Sequence, residues 1–184
     1  MHIVRKVLST EFSKYRQHLL SLDLDSRTLR FAAPLSDSAI NHLCDQFEKH
    51  ADDHVLFCIE NSNFEFVAVG HIALNPQMEL ALSVKKEYQG QGMGDALMKR
   101  CIQWCRTHNV YEGTMICLSY NTAIKHLCKK NGIHYVNEHG EAVADIHLDY
   151  PTISTFASER IDSNLAALDY LAKRSILPWK LLSN

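Results

Sequence analysis

The sequence predicts an α+β fold: a mixed, mostly antiparallel central sheet of about six to seven strands, flanked by helices. Three observations lead there. Helical and strand periodicities are interleaved without the regular strand–helix–strand alternation of a doubly wound sheet. Three strand-like runs follow one another between residues 54 and 85, separated only by short polar turns. The strongest amphipathic helix, residues 93–108, comes directly after a glycine-rich loop.

Taken in order, residues 3–8 alternate weakly and read as a first strand. Residues 11–22 read as a helix, with Phe12, Tyr15, Leu19 and Leu22 on one face. Residues 23–35 are punctuated by polar side chains and Pro34 and read as a loop. Ser36 or Asp37 can cap a second helix whose apolar face holds Ile40, Leu43, Cys44 and Phe47. Then the period changes. Residues 54–60 and 65–74 read as a hairpin around the turn cluster Asn61, Ser62 and Asn63, and residues 78–85 as a third strand. In the helix at 93–108, Leu97, Met98, Cys101, Ile102 and Cys105 share one face. Residues 114–119 form a strand, 121–131 a short helix closed by Gly132, and 134–136 and 142–148 two closing strands. A last helix, about 154–176, carries Ile161, Leu165 and Leu168 and is predicted to stop at Pro178. The expected division is a domain over residues 1–150 and a helical extension over 151–184, packed on that domain or on a partner subunit, a homodimer being one such arrangement.

Composition narrows the function classes. Nineteen basic against twenty-one acidic residues give a net charge of −2, which argues against a nucleic-acid partner. No stretch approaches the roughly 18 apolar residues of a membrane span, and the start has no signal-peptide core, so no membrane is involved and the expected location is cytoplasmic. The six cysteines include no C-x-x-C pair and read as buried thiols of a reducing compartment. His50 and His54 are four apart but flank Asp52 and Asp53, and no metal site is expected.

The chemistry lies in residues 78–97, a strand, a loop and a helix start. Gly90, Gly92 and Gly94 allow the loop to tighten until several backbone N–H groups converge. The following helix adds its unpaired N–H groups and the positive end of its dipole. The result is a cradle for a phosphate or diphosphate that needs little side-chain charge. A dinucleotide fingerprint, G-x-G-x-x-G, is not satisfied, because Asp95 stands where its third glycine belongs. No Walker loop is present.

Gln89-x-x-Gly92-x-Gly94 resembles the Q/R-x-x-G-x-G/A signature of the GNAT acetyltransferases. Asn121, Leu127, Lys130 and Gly132-Ile133 are similar to a second pattern of that family, and the likeness spans about residues 3–149. A weaker resemblance, carried by Glu79-Leu80-Ala81, Val84 and Leu29-Arg30-Phe31, is to bacterial protein lysine acetyltransferase domains. The resemblance implies the GNAT fold and acetyl-CoA as cosubstrate. Its diphosphate would lie on Gln89, Gly90, Gln91, Gly92, Met93, Gly94 and Asp95, and its pantetheine arm along Leu82, Ser83 and Val84. Asn121 would touch that arm or cap its helix, or both.

The implied reaction is direct acetyl transfer to a primary amine, of a protein lysine or a small molecule. A base must keep the amine neutral, and an N–H donor near Val84 must meet the developing oxyanion. Glu79 is the candidate base, since strand alternation puts residues 79, 81 and 83 on one face; the alternative is a surface carboxylate. His71 is a second candidate base, and Tyr120 lies beside the site in sequence. Cys128 replaces the tyrosine that serves many GNATs as general acid. It either donates weakly, from a thiol of ordinary pKa about 8.5, or simply packs. Two other functions stay open here: a non-catalytic acetyl-CoA sensor and a dinucleotide-binding oxidoreductase.

Overall fold

The computed structural model describes the backbone of residues 2–182 and the side chains of residues 2–175. The elements are β1 (Arg5–Lys6), α1 (Phe12–Leu20), α2 (Leu24–Phe31), α3 (Asp37–Lys49), β2 (His54–Glu60), β3 (Phe66–Ala73) and β4 (Glu79–Val84), then α4 (Met93–Thr107), β5 (Glu112–Leu118), α5 (Thr122–Lys130), β6 (His134–Glu138), β7 (Glu141–His147) and α6 (Ile153–Leu182). The seven strands form one sheet in the order β1-β2-β3-β4-β5-β7-β6. Every neighbouring pair is antiparallel except β4 and β5.

Helices cover both faces. On one, Leu97, Met98, Cys101 and Trp104 of α4 pack against Phe57, Ile72, Leu80 and Met115. On the other, Tyr15 and Leu19 of α1 and Ile40 and Cys44 of α3 pack against Leu56, Cys58 and Val69. The period of two along β4 explains the split: Leu80 and Leu82 join the α4 side, whereas Ser83 reaches α1. All six cysteines are free and buried.

Two elements depart from the sequence expectation. Residues 24–31, read as loop, form helix α2. The Asp23 carboxylate accepts from the Ser26 N–H at 2.9 Å at its start, and Ala32 ends it in a left-handed conformation, φ 55°. The last helix was expected to stop at Pro178, yet α6 runs to Leu182. A proline removes one helical hydrogen bond, and here that loss does not end the helix. The helix packs on α4 and β1 of its own chain, where Arg100 meets Glu159 and Ser163 at 3.3 and 3.1 Å.

Candidate active site

The site begins where the sheet parts. β4 and β5 pair only at Glu79 and Thr114, supported by the Thr114 N–H donating to the Met78 carbonyl at 2.8 Å. Beyond that point β5 stays paired with β7, so the β5-facing edge of β4 has no strand partner. A cleft of about 450 Å³ lies in this opening. Its walls are Leu82, Ser83 and Val84 of β4, the loop entering α4, the inner face of α5, and Ser26, Leu29 and Arg30 of α2.

The loop is shaped by its glycines. Gly92 is the N-cap of α4 with φ 82°, a region that costs a side-chain-bearing residue about 1–2 kcal/mol. No side chain caps the helix. The first-turn residues Met93, Gly94 and Asp95 therefore line the cleft with their N–H groups unclaimed by any cap. At Gly94 the need is spatial: a Cβ would sit 3.0 Å from Leu127 of α5. The positive end of the α4 dipole thus faces the same opening as the free edge of β4.

The remaining polar groups are held in place. Gln89 donates from its side chain to the Val84 carbonyl at 3.1 Å and to Ser26 at 3.3 Å, tying the loop to β4 and α2. Gln91 does not reach the cleft; its side chain donates to the Glu87 carbonyl, and its own carbonyl accepts from His2. Asn121 is buried, lines the cleft and accepts from the Ile124 N–H at 3.2 Å, so its capping contact is in place. Asp95 carries two cations, Lys99 and Lys130, each at 2.9 Å. Burial would raise its pKa, but the two ammonium groups outweigh that and lower it.

A buried polar cluster underlies the α2 wall. His18 spans α1 and the sheet: its Nδ1–H donates to the Phe66 carbonyl at 2.9 Å, which leaves Nε2 to accept from the Ser83 hydroxyl at 2.8 Å. Burial pushes its pKa down to about 4. His71 sits opposite Ala81 of β4. Its Nδ1 lies 3.2 Å from the Arg30 guanidinium and 3.4 Å from the Tyr15 hydroxyl, and its Nε2 lies 3.0 Å from His54 Nδ1. A guanidinium only donates, so Nδ1 accepts and His71 is the Nε2–H tautomer. Burial, then Arg30 and His54, hold it neutral, well below the ordinary histidine range.

The candidate catalytic residues are not gathered in the cleft. Glu79 is exposed, at the start of β4 where that strand still pairs with β5, and is not on the cleft wall. His71 lies behind Arg30, with its accepting nitrogen in use. For Cys128 the structure matches the packing alternative. The side chain points into the core, with Sγ 3.9 Å from the Met115 sulfur, and burial raises its pKa to about 11. Tyr120 is largely exposed and off the cleft wall. The α2 residues Ser26, Leu29 and Arg30 escaped the sequence reading as site residues, although Asp23 three positions before Ser26 is a helix-start signal. A larger hollow, about 520 Å³, lies between α4 and α6, and neither the glycine loop nor β4 borders it.

Comparisons with known proteins agree with this geometry. A family model described as the acetyltransferase (GNAT) family matches residues 18–133. No curated protein matches the chain. Among solved structures, the GNAT domain of S. lividans PAT is similar with a TM-score of 0.64 and 20% identity, over 79% of this chain and 89% of that one. The protein yncA of Salmonella typhimurium, solved with its cofactor acetyl-CoA, gives 0.62 and 14% over 83% and 96%. A spermidine N-acetyltransferase of Vibrio cholerae, solved with CoA and spermine, gives 0.59 and 15% over 79% and 93%. At these identities the structural likeness speaks for the fold.

Proposed function

The chain belongs to the GNAT acetyltransferase family, and from that premise we propose that it moves the acetyl group of acetyl-CoA directly to a primary amine. One observation carries the proposal: the uncapped N-terminus of α4 and the unpaired edge of β4 border the same cleft. The first offers N–H donors and a positive dipole to a diphosphate. The second offers extended backbone to an amide-containing arm, in the manner of an added strand. Acetyl-CoA has both parts, and its thioester supplies the activated acetyl group.

In this reading Gly90, Gly92, Met93, Gly94 and Asp95 hold the diphosphate through their backbone, and Leu82, Ser83 and Val84 align the arm. Gln89 braces the loop against Val84 and Ser26 rather than reaching the ligand itself. Because the Ser83 hydroxyl is given to His18, Ser83 contributes main chain alone. A backbone N–H near Val84 meets the oxyanion. Glu79, at the paired start of β4, takes the amine proton through water, because it stands outside the cleft wall. Cys128 has no part in the transfer, and the departing thiolate takes its proton from solvent.

Residues 1–150 are then the acetyltransferase domain and 151–184 a helical extension. The exposed side chains Ile161, Leu168 and Leu171 of α6 support a homodimer, which sedimentation would test. The six free, buried thiols support a cytoplasmic location. Among the described residues no helix is long and apolar enough to cross a membrane. The dinucleotide oxidoreductase is set aside with the family, and the single parallel pair in the sheet is foreign to a doubly wound fold.

The test is release of CoA thiol from acetyl-CoA during incubation with an amine panel, beside a thermal-shift comparison of acetyl-CoA with NADH. Stabilisation by acetyl-CoA alone and amine-dependent thiol release are expected. Acetyl-CoA binding without release for any amine would favour the sensor, and no acetyl-CoA binding would remove the proposal.

A further inference from the structure

Arg30 is a charged cleft-wall residue whose arrangement the transfer reaction does not explain. Four other arginines meet carboxylates: Arg5 pairs with Glu11 and Glu60, Arg16 with Asp45 and Glu48, Arg27 with Asp37, and Arg100 with Glu159, while Arg106 donates to the Asp149 and Tyr150 carbonyls outside the cleft. Among the described residues Arg30 forms no ion pair; its protein hydrogen bonds are those of Nη2, to the Tyr15 hydroxyl at 3.4 Å and to His71 Nδ1 at 3.2 Å. Both acceptors are neutral. Tyr15 is buried with its pKa raised by desolvation, and His71 is held unprotonated. The guanidinium is therefore fixed in position without being neutralised, and the donors of Nη1 and Nε have no protein partner among the described residues.

The wall that Arg30 occupies is also informative. It stands on α2, which packs on β4 and β5, whereas the diphosphate cradle is at the start of α4. The cleft wall holds a single carboxylate, Asp95, and that group is already bound to Lys99 and Lys130. A polycationic amine would find no free anion there. A guanidinium held through Nη2 by neutral anchors, with Nη1 and Nε still free to donate, suits an anionic oxygen such as that of a carboxylate.

We propose that Arg30 binds a carboxylate of the amine acceptor, so that the acceptor is a free amino acid or a closely similar amine rather than a polyamine. This rests on the acetyltransferase reading. Nη1 or Nε of the guanidinium would hold the carboxylate by a charge-assisted hydrogen bond while the amine of the same molecule points toward the thioester, and the transfer itself is unchanged.

The experiment measures kcat/KM by CoA release for a set of free amino acids, each beside its methyl ester and its decarboxylated amine, with spermidine as the polycation. Wild type, Arg30→Gln and Arg30→Lys are compared, and calorimetry gives acetyl-CoA Kd for each. The expected result is at least about a tenfold preference of wild type for the carboxylate-bearing members, the scale of a lost charged hydrogen bond. Arg30→Gln should abolish that preference with acetyl-CoA Kd unchanged, and Arg30→Lys should retain part of it. Equal rates on the esters, a preference for spermidine, or no amino acid acetylated by an enzyme that binds acetyl-CoA would each overturn the proposal. A rise in acetyl-CoA Kd in Arg30→Gln would also overturn it, by making Arg30 a phosphate ligand. Absence of acetyl-CoA binding in wild type would instead strike the acetyltransferase reading, and this inference with it.

Discussion

Ser83 illustrates how much a single partner can decide. Its hydroxyl proton goes to His18, and His18 can accept it only while neutral. Burial lowers the His18 pKa to about 4 from an ordinary value near 6.5. The folded state therefore binds fewer protons than the unfolded chain between those values. Its stability from this group is complete above about pH 6.5 and is lost progressively as pH falls toward 4, by roughly 3 kcal/mol in all. Neutral His71 adds to the same trend. The melting temperature should fall over that window, and His18→Gln should flatten the slope; an equally steep slope in the variant would contradict this. Glu79 calls for a different measurement. Glu79→Gln should lower turnover about a hundredfold at neutral pH, the scale of general base catalysis, and leave acetyl-CoA affinity intact. Wild-type turnover in that variant would remove Glu79 from the mechanism.

Among the elements, the start of α4 and the short helix α2 differ in how they announce themselves. The loop before α4 carries its geometry in composition, because a residue at φ 82° is best served by glycine whatever surrounds it. Gly92→Ala should weaken acetyl-CoA by about five- to thirtyfold in calorimetry, corresponding to the 1–2 kcal/mol of the strained conformation. Unchanged affinity would mean that the loop does not grip the diphosphate. Helix α2 is quieter. It has eight residues, only one of them fully buried, and ends on Ala32 rather than glycine, so neither periodicity nor a terminator marked it. Its place is set by contact with β4 and β5, which local sequence does not contain.

Across the whole molecule, distant segments are joined through a few charged groups. Arg5 of β1 meets Glu11 ahead of α1 and Glu60 of β2, with Lys14 alongside. Burial alone would raise the Glu11 pKa, but hydrogen bonds from Arg5 and the Leu8 N–H outweigh it and hold it at about 2. Removing Glu60, whose side chain is 2% exposed, leaves the largely buried Arg5 side chain short of a partner. Glu60→Ala should cost about 3–5 kcal/mol in urea denaturation, and Glu60→Gln less. A neutral effect would show that Glu11 alone suffices for Arg5. The α+β class, the three-strand run, the glycine loop before α4 and the family likeness were all readable in order and spacing, because each is a local pattern that the chain carries by itself. The opening between β4 and β5, the withdrawal of Cys128 into the core and the seating of Arg30 against His71 were not. Those depend on residues separated by 13 to 41 positions in the chain, which only folding brings within reach of one another.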